Sequence, residues 1–220
     1  MIIVNTGDIM KYLLKKIETY PFISIVLVSV NCIIFLLCQF DGDFLYSRGS
    51  LGVHSIVYER EYARFISAMF LHWDLEHLFN NMILLLFMGA MLEKAIGHIP
   101  YAFLYFVSGI GGGILSVTIK AMNDEWGISA GASGAIFGLD GLLLAVVLLL
   151  RYKLQDITPA RVGIMIALSL YNGFSKSNID NAAHVGGLIV GFLLGVLICL
   201  VIRTKNIRRK SQLYEREVSK

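Results

Sequence analysis

Three short runs hold the residues that could do chemistry. The first is Gly131-Ala132-Ser133-Gly134-Ala135-Ile136-Phe137-Gly138, which opens an apolar stretch directly after a polar segment containing Trp126. A serine at a helix start sits among backbone N–H groups that lack intrahelical acceptors, and the helix dipole there favours a developing negative charge. Gly131 and Gly134 leave room for another backbone to come close. That is the setting a nucleophilic hydroxyl needs. Taken alone, the run is explained equally well by helix packing through small residues with Ser133 as a cap.

The second run is Asn181-Ala182-Ala183-His184-Val185-Gly186-Gly187, with His184 about one turn into an apolar stretch. A neutral imidazole can take the proton of a serine hydroxyl and return it to a leaving amine. The bland alternative is an interior histidine hydrogen-bonded to a neighbour, but an ionisable group inside a membrane span is costly and points first to function. The third run begins His77-Leu78-Phe79-Asn80-Asn81. His77 and Asn81 are four apart, so both fall on one helix face, where they could donate to an oxyanion beside the Ser133 N–H. Alternatively they only tie that helix to the loop before it.

What must position these runs follows from composition. The chain has 220 residues, 56% hydrophobic and 16% charged, with a mean hydropathy of +0.70. Soluble domains are less apolar, and here long apolar stretches alternate with short charged ones. Six stretches read as spans of an all-α membrane protein: 22–40, 77–92, 100–119, 132–150, 159–174 and 182–202. The second and fifth are short for a bilayer that needs about 20 apolar residues, so they are expected to tilt little or to be shielded by neighbours. Ser133, His184 and His77 would all enter from the same face at similar depth. Gly187, Gly191 and Gly195 recur every four residues, a smooth face that lets another helix approach, plausibly the fourth, and would set the Ser133–His184 distance.

Lys and Arg favour the cytoplasmic side. With both termini inside, inner segments hold Lys11, Lys15, Lys16, Lys94, Arg151, Lys153, Arg161 and the basic residues from Arg203 onward; outer loops hold only Arg48, Arg60, Arg64, Lys120 and Lys176. Both termini are therefore expected in the cytoplasm, and the net charge of +3 is a topological signal that calls for no nucleic-acid partner. Three parts follow: a cytoplasmic amphipathic segment at 1–20, suited to the inner leaflet; a six-helix domain at 21–202, with its first span read as a retained anchor; and a basic cytoplasmic tail at 203–220, expected to be mobile and to meet anionic lipid. The connection 41–76 is long and rich in aromatics, which suits short helices at the outer membrane interface. Cys32, Cys38 and Cys199 lie in apolar spans without metal-ligand spacing. No metal or cofactor is expected.

Together the runs Gly131-x-Ser133-Gly134, Ala183-His184-x-x-Gly187 and His77-x-x-x-Asn81 closely resemble those of the rhomboid family of intramembrane serine proteases, in its order, across roughly Glu61 to Gly195. The resemblance implies a six-helix bundle with a long membrane-embedded first outer loop. It also implies a Ser-His dyad without a carboxylate: Ser133 as nucleophile, His184 as base, and His77, Asn81 and the Ser133 amide as oxyanion donors. Gly131, Gly134, Gly187 and Gly191 would serve the motifs and their packing, and Phe137 would pack on the imidazole. Arg64 and Glu93 resemble structural residues of the family. The implied activity is an endopeptidase that cuts transmembrane segments of other membrane proteins near the outer face. Lateral access near the fifth span and a cap at 175–180 are further implications.

The oligomeric state stays open, a homo-oligomer included, and a short chain with almost no soluble domain suggests a prokaryotic plasma membrane. Asp140, about 10 Å deeper than Ser133 at 1.5 Å per residue, has no assigned role and calls for a proton or hydrogen-bond partner. A noncatalytic binder of the rhomboid-like kind is disfavoured by the presence of both Ser133 and His184. A transporter is disfavoured because polar groups cluster at the outer end and no inverted repeat is evident.

Overall fold

The structure is a computed structural model that describes residues 20–41, 43–151, 154, 156–174 and 179–218. The amphipathic segment expected at 1–20 lies almost wholly outside the described residues. Among the described residues the chain is helical, without strands apart from one isolated bridge between Leu51 and Ser129.

The first helix, α1 (Phe22–Asp41), shows what the chain's solvent must be. Ser24, Leu27, Asn31, Phe35 and Cys38 recur every three or four residues and are buried, while Ile33, Leu36, Leu37 and Phe40 on the other side are exposed. A helix whose outer face is made of large apolar side chains needs lipid around it. Three more helices are long and apolar enough to cross a bilayer: α5 (Leu75–Ile96), α6 (His98–Met122) and the first 28 residues of α9 (Asn181–Val218). The chain is an all-α, multi-pass membrane protein. Two shorter helices pack with these. The 17-residue α7 (Ser133–Leu149) is buried nearly all round, so its neighbours cover it in place of lipid; the 16-residue α8 (Pro159–Phe174) buries only Val162, Ile166 and Gly173.

One expectation needs correction. The second apolar stretch, 77–92, is expected to be short for a span, yet α5 begins before it and continues through Glu93 and Lys94 for 22 residues in all. Asp74 caps its start by accepting the His77 N–H at 2.7 Å. At its other end the Glu93 carboxylate is buried but fully engaged. It accepts from the Ile23 and Ser24 N–H groups at 2.8 and 2.9 Å and from the Ser24 hydroxyl at 2.7 Å, and it contacts His98 Nδ1. The charge thus serves the free donors of the first turn of α1 and joins the two helices. Beyond the apolar stretch α9 continues as helix to Val218, in keeping with the good helix propensity of Lys, Arg and Glu.

The connection from α1 to α5 folds into α2 (Phe44–Gly49), α3 (Val53–Val57), α4 (Arg64–Ser67) and a 3-10 turn at Ala68–Phe70. It has its own small core of Leu51, Val53, Ile56, Ala68 and Val117 with Phe65 against it. Arg64, 8% exposed, gives this segment its frame: Nη1 donates to the carbonyls of Ser47 and Ser50 at 2.8 and 3.0 Å, and Glu61 pairs with the guanidinium.

Replacing Glu93 by alanine orphans the α1 donors inside the bundle, a loss of about 3 kcal/mol or more. The expected outcome is a clear drop in the thermal unfolding midpoint in detergent, with any activity falling only as the folded fraction falls.

Candidate active site

Two helices carry the site. The backbones of α7 and α9 touch through glycines, for a Cβ on Gly187 would run into the Gly134 carbonyl and one on Gly191 into the Gly138 backbone. Gly195 continues the contact against Leu142 and Ala145, and on the other flank of α9 a Cβ on Gly186 would meet Leu115 and Gly112 of α6. The first turns of α9 are clamped between α6 and α7. Ser133 begins α7 and His184 lies one turn into α9, at the same end of the bundle.

There His184 Nε2 lies 2.8 Å from Ser133 Oγ. The imidazole is 8% exposed and stacks on Phe137, ring centres 4.3 Å apart and planes 16° from parallel. His184 Nδ1 has no hydrogen-bond partner among the described residues. Ring orientation therefore comes from the Phe137 stack and the helix contacts, not from a carboxylate.

Gly131 has φ +138, open to glycine and strained for any side chain. It is also crowded: a Cβ there would lie 2.8 Å from His77 Cε1, 2.9 Å from His77 Nε2 and 3.8 Å from Asn81 Nδ2. His77 and Asn81 thus lie against the backbone two residues before Ser133. Asn81 Nδ2 is a buried donor without a partner among the described residues, while the Ser133, Gly134 and Ala135 N–H groups start a helix and have no carbonyl one turn back within it. Donors are gathered where a negative charge would form beside Ser133.

The segment leading to Ser133 is pinned from the side. Leu51 and Ser129 exchange backbone hydrogen bonds at 2.9 and 2.7 Å, Gly131 N–H donates to the Ala68 carbonyl at 2.8 Å, and Ala132 N–H makes a long contact of 3.5 Å to His72 Nε2. Sequence reading did not assign His72 a role. It is fully buried, edge-on to His77 at 4.9 Å, and its own carbonyl accepts from the Tyr46 hydroxyl. Burial, helped by His77 and opposed by the Phe70 carbonyl, pulls its pKa from 6.5 to about 3, so the ring stays neutral.

Also missed was a half-buried polar knot. Asp180 accepts from Ser116 Oγ, Ser129 Oγ, Lys120 Nζ at 3.1 Å and the Ala183 N–H at 3.0 Å. Burial pushes its carboxyl up, but these donors outweigh it and hold the group below the ordinary carboxylate value. The one available signal was the cap position of Asp180, three residues before Ala183. A cavity of about 50 Å³ lies against Ser133, Gly131, Ser129, Asp180, Met69 and Gly109. Asp140 is buried in α7, two turns along the helix from Ser133; residues 175–178 of the expected cap lie outside the described residues.

A helical membrane protein with a serine and a histidine in hydrogen-bond contact at shared helix ends is the class this geometry defines. Residues 59–201 match the family model described as Rhomboid domain. The chain is 37% identical over 158 residues to RHOMBOID-like protein 4 of Arabidopsis thaliana, covering 71% of this chain and 39% of that protein. It is 31% identical over 185 residues to Rhomboid protease GluP of Bacillus subtilis (strain 168), covering 82% and 35%. With Putative rhomboid protease YdcA of the same organism it shares 31% over 184 residues, 82% of this chain and 90% of that one. The chain belongs to the rhomboid family. It spans about half or less of the length of the plant relatives and of GluP.

The His72 shift sets a pH dependence. Between about pH 6.5 and 3 the unfolded chain binds a proton at this ring that the folded chain refuses, so stability falls as pH is lowered through that window. Thermal midpoints in detergent should drop on acidification below about pH 6.5, and His72→Gln should flatten that acid limb.

Proposed function

We propose that the chain is an intramembrane serine endopeptidase of six spans with both termini in the cytoplasm, acting on transmembrane segments of other proteins near the outer face of a bilayer. The observation that carries the reading is the 2.8 Å contact between His184 Nε2 and Ser133 Oγ. Family membership and the relatives named as proteases support it.

In this reading Ser133 Oγ attacks the scissile carbonyl carbon while its proton passes to His184 Nε2. The carbonyl oxygen becomes an oxyanion held by the Ser133 N–H, Asn81 Nδ2 and the His77 ring. Collapse of the tetrahedral adduct breaks the C–N bond, and the imidazolium gives its proton to the leaving amine. Water, deprotonated by the same imidazole, then attacks the acyl ester and returns Ser133 to its free form. No cofactor takes part. Phe137 holds the ring in plane through both proton transfers, and Gly131 admits the substrate backbone beside His77 and Asn81. Arg64 and Glu93 act structurally. Substrate reaches the dyad laterally past α8, whose short, sparsely buried helix would be the easiest of the six to displace.

A fluorescent transmembrane-segment substrate, with purified protein in liposomes, tests this. Wild type should cleave it and Ser133→Ala and His184→Ala should not. Asn81→Ala should lower kcat by roughly 10²–10³-fold with KM little changed; cleavage retained by Ser133→Ala would refute the nucleophile, and a change in KM alone would leave Asn81 with a binding role only.

A further inference from the structure

The knot around Asp180 joins the two segments that deliver the dyad. Ser129 lies four residues before Ser133, and Asp180 lies four residues before His184. The two are hydrogen-bonded to each other, Ser129 Oγ donating to Asp180 Oδ2. Both are tied to one face of α6 by Ser116 and Lys120, four apart. Asp180 also starts α9: its Oδ1 accepts the Ala183 N–H at 3.0 Å and its carbonyl accepts the His184 N–H at 3.2 Å. A single residue therefore caps the helix that carries the imidazole and holds the loop that leads to the hydroxyl. The group is half-buried, with the Asp180 side chain 17% and the Lys120 side chain 15% exposed, while Ser116 is buried, so loss of Asp180 leaves the Ser116 hydroxyl without its acceptor.

Resting on the protease reading, we propose that Asp180 is a positioning residue, which with Ser116, Ser129 and Lys120 fixes the separation of Ser133 and His184 at the outer end of the bundle. The glycine contacts hold α7 and α9 together from Gly134 and Ala183 onward, and Asp180, just ahead of the α9 start, adds a polar tie before those contacts begin. Asp180 touches neither Ser133 Oγ nor the imidazole, and it takes no proton in the reaction.

The test is steady-state cleavage of a transmembrane-segment substrate by full-length wild type, Asp180→Ala, Asp180→Asn and Ser116→Ala, each with a thermal midpoint measured in the same detergent. Asp180→Ala should lower kcat roughly 10- to 100-fold with KM within about twofold of wild type, the cost of displacing a reacting pair by a fraction of an ångström or more. Asp180→Asn keeps the cap oxygen for the Ala183 N–H but puts an NH2 donor where Oδ2 accepts from Ser116, Ser129 and Lys120, so it should recover only part of that loss. Ser116→Ala removes one donor and should lower kcat by about three- to tenfold without unfolding the protein. Wild-type turnover by folded Asp180→Ala, or a fall in thermal midpoint in all three variants with kcat per folded molecule unchanged, overturns the proposal while the protease reading stands. A wild-type chain that cleaves nothing overturns both.

Discussion

The bundle depends on backbone meeting backbone between α7 and α9. In lipid, helices gain nothing by hiding apolar side chains from an apolar solvent, so association rests on van der Waals contact and hydrogen bonds. Here the contact is of the closest kind, with Gly187 on the Gly134 carbonyl and Gly191 on Gly138. No side chain fits between them. Because the two helices begin at the same end, this contact brings the start of one against the first turn of the other, and a hydroxyl and an imidazole 51 positions apart meet at 2.8 Å.

Around that contact the chain spends its polar groups on holding loops. Arg64 gathers the carbonyls of Ser47 and Ser50, the adjoining Leu51 pairs with Ser129, and Ala68 takes the Gly131 N–H, so the first connection acts as a brace against the segment that ends in Ser133. Each such bond is worth little alone, but buried groups left without partners are costly, so the set stands or falls together. At the far end of the bundle Glu93 does the same for α1 and α5. Hydrogen bonds and close helix contacts thus hold both ends of the bundle.

Much of this was legible in the residues, and the failures have physical reasons. Apolar runs and a four-residue glycine period marked the membrane helices and the α9 face, since both are local patterns. Hydropathy cut the second span short at Glu93, because a window average treats any carboxylate as water-seeking and cannot see the Ile23 and Ser24 donors that satisfy it. Asp180 went unread because its partners lie 64 and 51 positions away in Ser116 and Ser129. His72 was passed over for a similar reason: its contact with Ala132 exists only once the first connection has folded against α7.

Helix approach is the origin of the reactive pair, and one substitution isolates it. In Gly187→Ala both Ser133 and His184 remain, but a methyl group is driven into the Gly134 carbonyl and must push the helices apart. The direct measurement is the rate at which a fluorophosphonate probe captures Ser133, mapped by mass spectrometry, in wild type and in Gly187→Ala of matched helical content. Capture of wild type with loss of roughly 10²-fold or more in the variant is the predicted result; capture of folded Gly187→Ala at the wild-type rate would contradict it.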